Sequence, residues 1–81
     1  MRLLYTNRFL QSYAGAPPEI RKAFDRRAAF LAKNLLHPSL HSKKYDETQN
    51  IWQARITRDW RIYFRIAGQD CYLLDLVAHP K

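Results

Sequence analysis

The chain has 81 residues, 47% of them hydrophobic and 14% aromatic, with a single cysteine and a formal net charge of +7. That is enough apolar material for one small domain spanning 1–81, and it excludes disorder, an intrachain disulfide, a Cys/His zinc site and a membrane-spanning or signal segment. A cytoplasmic protein without cofactor or metal is expected, and so dense a positive charge calls for a polyanion or an acidic protein as partner.

In chain order, Arg2 to Thr6 is a short apolar and aromatic run that predicts a first strand. Asn7 is a helix cap, and a short helix follows from Arg8 to about Ala14, with Gly15 as its stop. Pro17-Pro18-Glu19 opens a second helix, since proline suits the first turn and Glu19 complements its positive end. Ile20, Phe24, Ala28, Leu31 and Leu35 then recur at spacings of three and four and form one apolar stripe, which His37-Pro38 terminates. Residues 37–50 read as a polar connection anchored by Leu40 and Tyr45 and carrying the basic pair Lys43 and Lys44.

From Ile51 to Leu76 apolar and polar residues alternate, broken by two short turns, which predicts three consecutive antiparallel strands. A plain two-residue loop at Arg58-Asp59 would mix charge and core on both faces. A bulge of one residue, or a three-residue loop, puts Trp52, Ala54, Ile56, Trp60, Ile62 and Phe64 on one face and Ile51, Gln53, Arg55, Arg61, Tyr63 and Arg65 on the other. The same reasoning at the second turn assigns Tyr72, Leu74, Leu76 and Ala78 to the core, and Cys71, Leu73, Asp75, Val77 and His79 to the arginine face, with Arg61 beside Asp75. The helices cover the apolar face and leave the basic one open.

Arginines bind phosphate bidentately and stay charged, so this cluster can stabilise the added charge of a pentacoordinate phosphorus. His79 can give or take a proton near neutrality, and Tyr63 can stack on a base or bond a phosphate oxygen. Together they suffice for RNA cleavage in which the 2′-OH attacks the neighbouring phosphate, without a metal.

The segment Trp52-Gln53-Ala54-Arg55-Ile56-Thr57-Arg58-Asp59-Trp60-Arg61-Ile62-Tyr63 and the ending Ala78-His79-Pro80 resemble the RelE/ParE superfamily of bacterial toxin–antitoxin systems, in its RelE/YoeB-like branch. The resemblance implies an α+β, microbial-RNase-like fold of order β-α-α-β-β-β, mainly antiparallel, with two helices on one face. It implies a metal-free, ribosome-dependent mRNA endonuclease acting in the ribosomal A site, a cognate antitoxin as protein partner, and neither membrane nor small-molecule ligand. Carried over by position, Arg61 is the phosphate-stabilising arginine, His79 the proton-transfer group and Arg55 a further basic strand position. Arg65, Tyr63 and Arg58 complete the expected RNA-binding set. The glutamate that the YoeB-like branch carries before its second strand has no clean counterpart in His41-Ser42-Lys43-Lys44-Tyr45-Asp46-Glu47, which leaves Lys43, Lys44 or Glu47 as the base. Two other readings stay open: a ParE-like gyrase inhibitor without nuclease chemistry, and a non-toxic member that only binds its partner or RNA.

Overall fold

The computed structural model describes residues 1–78. Strand β1 (Arg2–Tyr5) leads into helices α1 (Asn7–Gly15) and α2 (Pro18–Lys33), a 3-10 turn (Pro38–Leu40), and strands β2 (Lys43–Asp46), β3 (Ile51–Thr57), β4 (Trp60–Ala67) and β5 (Asp70–Ala78). The five strands form one sheet in the order β1-β5-β4-β3-β2. All neighbours are antiparallel except β1, which lies parallel to β5. The class is the expected α+β, with one strand more than the sequence suggested.

That extra strand is β2, inside the stretch taken for a polar connection. It pairs with β3 through Lys43↔Gln53 and Lys44↔Trp52, then slips at Tyr45. Leu40 anchors the stretch as expected and is fully buried, but Tyr45 is 63% exposed and belongs to no core. Three charged residues and one tyrosine, interrupted by a bulge, carry no alternation from which a strand could be read.

Both helices pack on the sheet face that carries Ala54, Ile56, Ile62, Phe64, Cys71, Leu73 and Leu76, and Phe9, Ile20, Ala23, Phe24 and Leu31 meet them there. The stripe on α2 faces inward as its spacing predicts. The helix itself stops at Lys33, where the Asn34 N–H still bonds the Phe30 carbonyl but the Asn34 backbone is already extended. Leu35 therefore packs from a turn. The cap of α1 is Thr6, not Asn7: its hydroxyl oxygen accepts from the Phe9 N–H at 3.2 Å and its O–H donates to the Leu73 carbonyl at 2.7 Å. Gly15 is the last residue of α1, and the helix stops because Pro17 holds Ala16 in an extended conformation.

The β3–β4 hairpin has the bulge that its faces require, at Ile56, between Arg55↔Arg61 and Thr57↔Trp60. In β5 the faces differ from expectation. The tight turn with Gly68 at φ +62° pairs Ala67 with Asp70, which sends Cys71 and Leu73 into the core and Tyr72 outward. A second bulge at Leu74 then reverses the alternation, so Asp75 faces the arginines beside Tyr63 and Leu76 is buried beside Ile62. Burial pushes the Cys71 thiol up to about 12, as befits a core residue. Among the described residues no helix is long and apolar enough to cross a membrane.

Candidate nucleic-acid interface

Strand pairing fixes which side chains share the open face. Arg55 and Arg61 sit directly opposite one another, as do Gln53 and Tyr63, Ile51 and Arg65, and Tyr63 and Asp75. Two cations directly opposed across antiparallel strands repel, a cost of a few tenths of a kcal/mol up to about 1 kcal/mol that no folding requirement explains. Next to them β2 places Lys43, the partner of Gln53. His41 completes the group. It adopts a left-handed backbone (φ 47°, ψ 43°) that turns the chain from buried Leu40 to the sheet edge. His41, Lys43, Gln53, Arg55 and Arg61 line a depression of about 160 Å³ that has no carboxylate in its wall among the described residues.

Arg61 is braced rather than free. Its Nη1 donates toward the carbonyls of Thr57, Arg58 and Trp60 at 3.0, 3.1 and 3.1 Å, leaving Nη2 and Nε for a ligand. Its expected neighbour Asp75 is held elsewhere: Oδ2 accepts from Arg8 Nε at 3.1 Å, and Oδ1 accepts from the Ser12 hydroxyl and, at 2.9 Å, from the Leu76 N–H. Arg55 is exposed and has no hydrogen-bond or ion-pair partner among the described residues. Arg58 is exposed at the hairpin tip, and only its carbonyl contributes, to Arg61.

Arg65 and Tyr63 line a second, larger depression of about 560 Å³ on the same face, with Arg8, Tyr45, Leu74 and Asp75. Arg65 donates to Gln49 Oε1 at 3.3 Å. The Tyr63 ring meets Tyr45 edge-on, centroids 4.9 Å apart. Burial first, and Tyr45 second, raise the Tyr63 hydroxyl above its ordinary value, which keeps it a proton donor at neutrality.

Not every candidate comes together. Lys44 points to the helix side, its ammonium 2.6 Å from Asn50 Oδ1 and 4.9 Å from the centre of the Trp52 ring. The structure thus separates the lysine pair and leaves Lys43 alone on the open face. Glu47 is solvent-exposed, 3.7 Å from Lys44. His79 lies outside the described residues. His41 was absent from the expected set, and its signal in the sequence is faint: a histidine directly after the one buried residue of a polar stretch. Among the described residues no three His, Cys, Asp or Glu side chains gather as metal ligands would.

The sequence matches no protein-family model and no curated protein. Solved structures do match. The YoeB/ParE toxin from Agrobacterium tumefaciens superposes with a TM-score of 0.79 at 14% identity, over 99% of this chain and 100% of that one. The RelE–RelB complex from Pyrococcus horikoshii OT3 gives a TM-score of 0.81 at 14% identity, over 99% and 96%. That of Methanococcus jannaschii gives 0.78 at 20% identity, over 93% and 88%. The chain has the fold of the RelE/YoeB/ParE toxins. At such identities the shared property is the backbone, and the RelE-like sheet is the platform on which the basic residues of this chain must be judged by themselves.

Proposed function

We propose that the chain is the toxin of a toxin–antitoxin pair and cleaves mRNA on the ribosome. The observation that carries the reading is the opposed pair Arg55 and Arg61, with Lys43 and His41, around one depression whose described residues include no carboxylate. Like charges gathered at a cost to the fold are relieved by an anion, and a phosphodiester gains negative charge as its phosphorus becomes pentacoordinate. The substrate 2′-oxygen forms a bond to the adjacent phosphorus and the bond to the 5′-oxygen breaks, leaving a 2′,3′-cyclic phosphate and a 5′-hydroxyl. A base removes the 2′ proton and an acid supplies one to the departing 5′-oxygen. Arg61, through Nη2 and Nε, and Arg55 hold the phosphate. Lys43 adds charge beside it. His41 and His79 are the proton carriers, because histidine exchanges a proton near neutral pH. Such a mechanism needs no metal. A short, shallow site positions RNA poorly by itself, which supports the ribosome as the body that orients the message.

The partner that fits a +7 surface is a small acidic antitoxin covering the basic face. Structures of this fold are known in complex with RelB, as in the Pyrococcus horikoshii and Methanococcus jannaschii examples.

The test is induction of the wild-type chain and of the Arg61→Ala/His79→Ala double variant in a bacterium, with mRNA ends mapped on translating ribosomes. In-frame cuts and growth arrest, both absent from the folded double variant, are expected. Arrest with intact mRNA would transfer the reading to a gyrase-type toxin. A well-expressed, folded chain that neither arrests growth nor cuts would leave a binding protein.

A further inference from the structure

The larger depression is unlike the smaller one. Its wall mixes aromatic rings (Tyr45, Tyr63), apolar side chains (Ile51, Leu74), two arginines (Arg8, Arg65) and, among the described residues, one carboxylate, Asp75. A site for phosphate alone has no use for a carboxylate or for rings. Asp75 is built in: Oδ1 is fixed by Ser12 and the Leu76 N–H, and the side chain is only 16% exposed. Among the described residues Oδ2 bonds only Arg8, whose side chain is 79% exposed and can shift without disturbing the fold.

We propose that this depression is a guanine-reading subsite for the nucleotide next to the phosphate held at Arg61; the inference rests on the RNA reading above. Guanine presents N1–H and N2–H donors side by side, with acceptors at O6 and N7 beyond them. Asp75 Oδ2 accepts from the donor edge, and Arg8 turns from Asp75 to the acceptors, a pairing arginine makes well. Adenine and cytosine each set a ring-nitrogen acceptor against the carboxylate, and uracil offers a single N–H between two carbonyls. The tyrosine rings supply a stacking surface that suits any base, so affinity comes from them and selection from Asp75. Arg61, Tyr63 and Arg65 alternate on one face of β4, about 6.6 Å apart at each step of two residues. That is close to the step of an extended RNA strand, so a phosphate at Arg61 sets the neighbouring base at Tyr63 and Asp75.

The experiment measures binding of the purified chain, by fluorescence anisotropy at low salt, to single-stranded RNAs of equal length that carry one guanine, adenine or cytosine in an otherwise all-uridine strand. The guanine strand should bind about tenfold more tightly, as one well-made base-edge contact discriminates. Asp75→Asn should abolish the preference, and Tyr63→Ala should weaken all strands alike. Arg8→Ala, at an exposed position, should reduce the preference with the fold intact, and it decides the matter if Asp75→Asn does not fold. Equal affinity for all strands, or a preference that survives in Asp75→Asn or is untouched in Arg8→Ala, overturns the subsite. Mapped cuts without base preference would sink this inference while leaving the nuclease reading intact. Guanine-selective binding by a chain that does not cut would do the reverse. A chain that binds no free RNA at low salt overturns the subsite, while the nuclease reading, in which the ribosome orients the message, is decided by the mapped cuts.

Discussion

Arg61→Ala separates two things that the side chain does. In the fold it braces the β3–β4 hairpin through Nη1, which has two hydrogens for three carbonyls, so at most two bonds are well formed at once. Hydrogen bonds to a charged group are worth about 1.5–3 kcal/mol each when buried, but this residue is only partly buried and water can replace it at the carbonyls, so about 1–2 kcal/mol is a fair loss. Removing the charge also ends the repulsion with Arg55, which returns up to about 1 kcal/mol. The net cost is about 1 kcal/mol, and in a domain of this size that lowers Tm by roughly 4–8 °C. In catalysis the expected loss is far larger, about 10²–10³ in rate, the usual effect of deleting one group that stabilises charge only in the transition state. Thermal unfolding followed by circular dichroism reads the first number, and mRNA end mapping on ribosomes below the melting range reads the second. Arg61→Lys keeps the charge, and with it the repulsion from Arg55, but not the fork, so it should melt no higher than Arg61→Ala and recover part of the rate. A variant that melts with the wild type refutes the brace. A folded variant that cuts at full rate refutes the placement of Arg61 on the scissile phosphate.

Other outcomes follow from the same structure. Thr6→Ala removes the cap of α1 and the bond to the Leu73 carbonyl, and urea titration should show a loss of about 1–2 kcal/mol. Gly68→Ala meets no atom but must hold φ +62°, so it should cost about 1 kcal/mol in the same assay. The Cys71 thiol has a folded value raised from 9.0 to about 12, so above pH 9 the unfolded chain releases a proton that the folded chain keeps. Stability is thus fully present below that pH and declines as pH rises toward 12; Tyr13 and Tyr63 are shifted in the same direction, and urea midpoints of Cys71→Ala should fall less steeply with pH than those of the wild type. Arg55→Ala should weaken RNA binding without changing base preference and reduce the slope of log affinity against log salt by about 1.

The hairpin of β3 and β4 was legible because its pattern admits one consistent assignment of faces. Only a one-residue bulge or a three-residue loop keeps Trp52, Ala54 and Ile62 on one side and Arg55, Arg61 and Tyr63 on the other, and the structure has the bulge, at Ile56. The stripe on α2 was equally plain, since Ile20, Phe24 and Leu31 fit no other period. In β5 the pattern is ambiguous: Leu73, Leu74 and Leu76 satisfy either register, and nothing in their chemistry marks Leu74 as the residue that steps out. Strand β2 was hidden for a different reason. It is an edge strand, short and polar, and edge strands are kept so to avoid pairing with other chains. The cap of α1 was misplaced by one residue because Thr6 and Asn7 are both capping residues, and what selects Thr6 is a tertiary bond to Leu73, sixty-seven residues away.

The bulge at Leu74 does more for the open face than any residue that sequence patterns single out. Had β5 kept the alternation begun at Cys71 and Leu73, Asp75 would point among Phe9, Ile62 and Phe64 and its carboxylate would lie buried without a cation, a cost of several kcal/mol. The extra residue turns Asp75 outward and Leu76 inward. It falls where β1 ends, since Tyr5 pairs with Leu73 and no strand continues beyond it. There α1 takes the place of a neighbouring strand, and its Arg8 and Ser12 meet Asp75. One inserted residue therefore relieves the core of a charge, gives the uncovered part of β5 a partner, and sets a carboxylate in a wall that also carries two tyrosines, two arginines and the apolar Ile51 and Leu74. The first two effects serve stability. The third serves it only through Arg8 and Ser12, and both could be satisfied by water if the wall had no ligand to read.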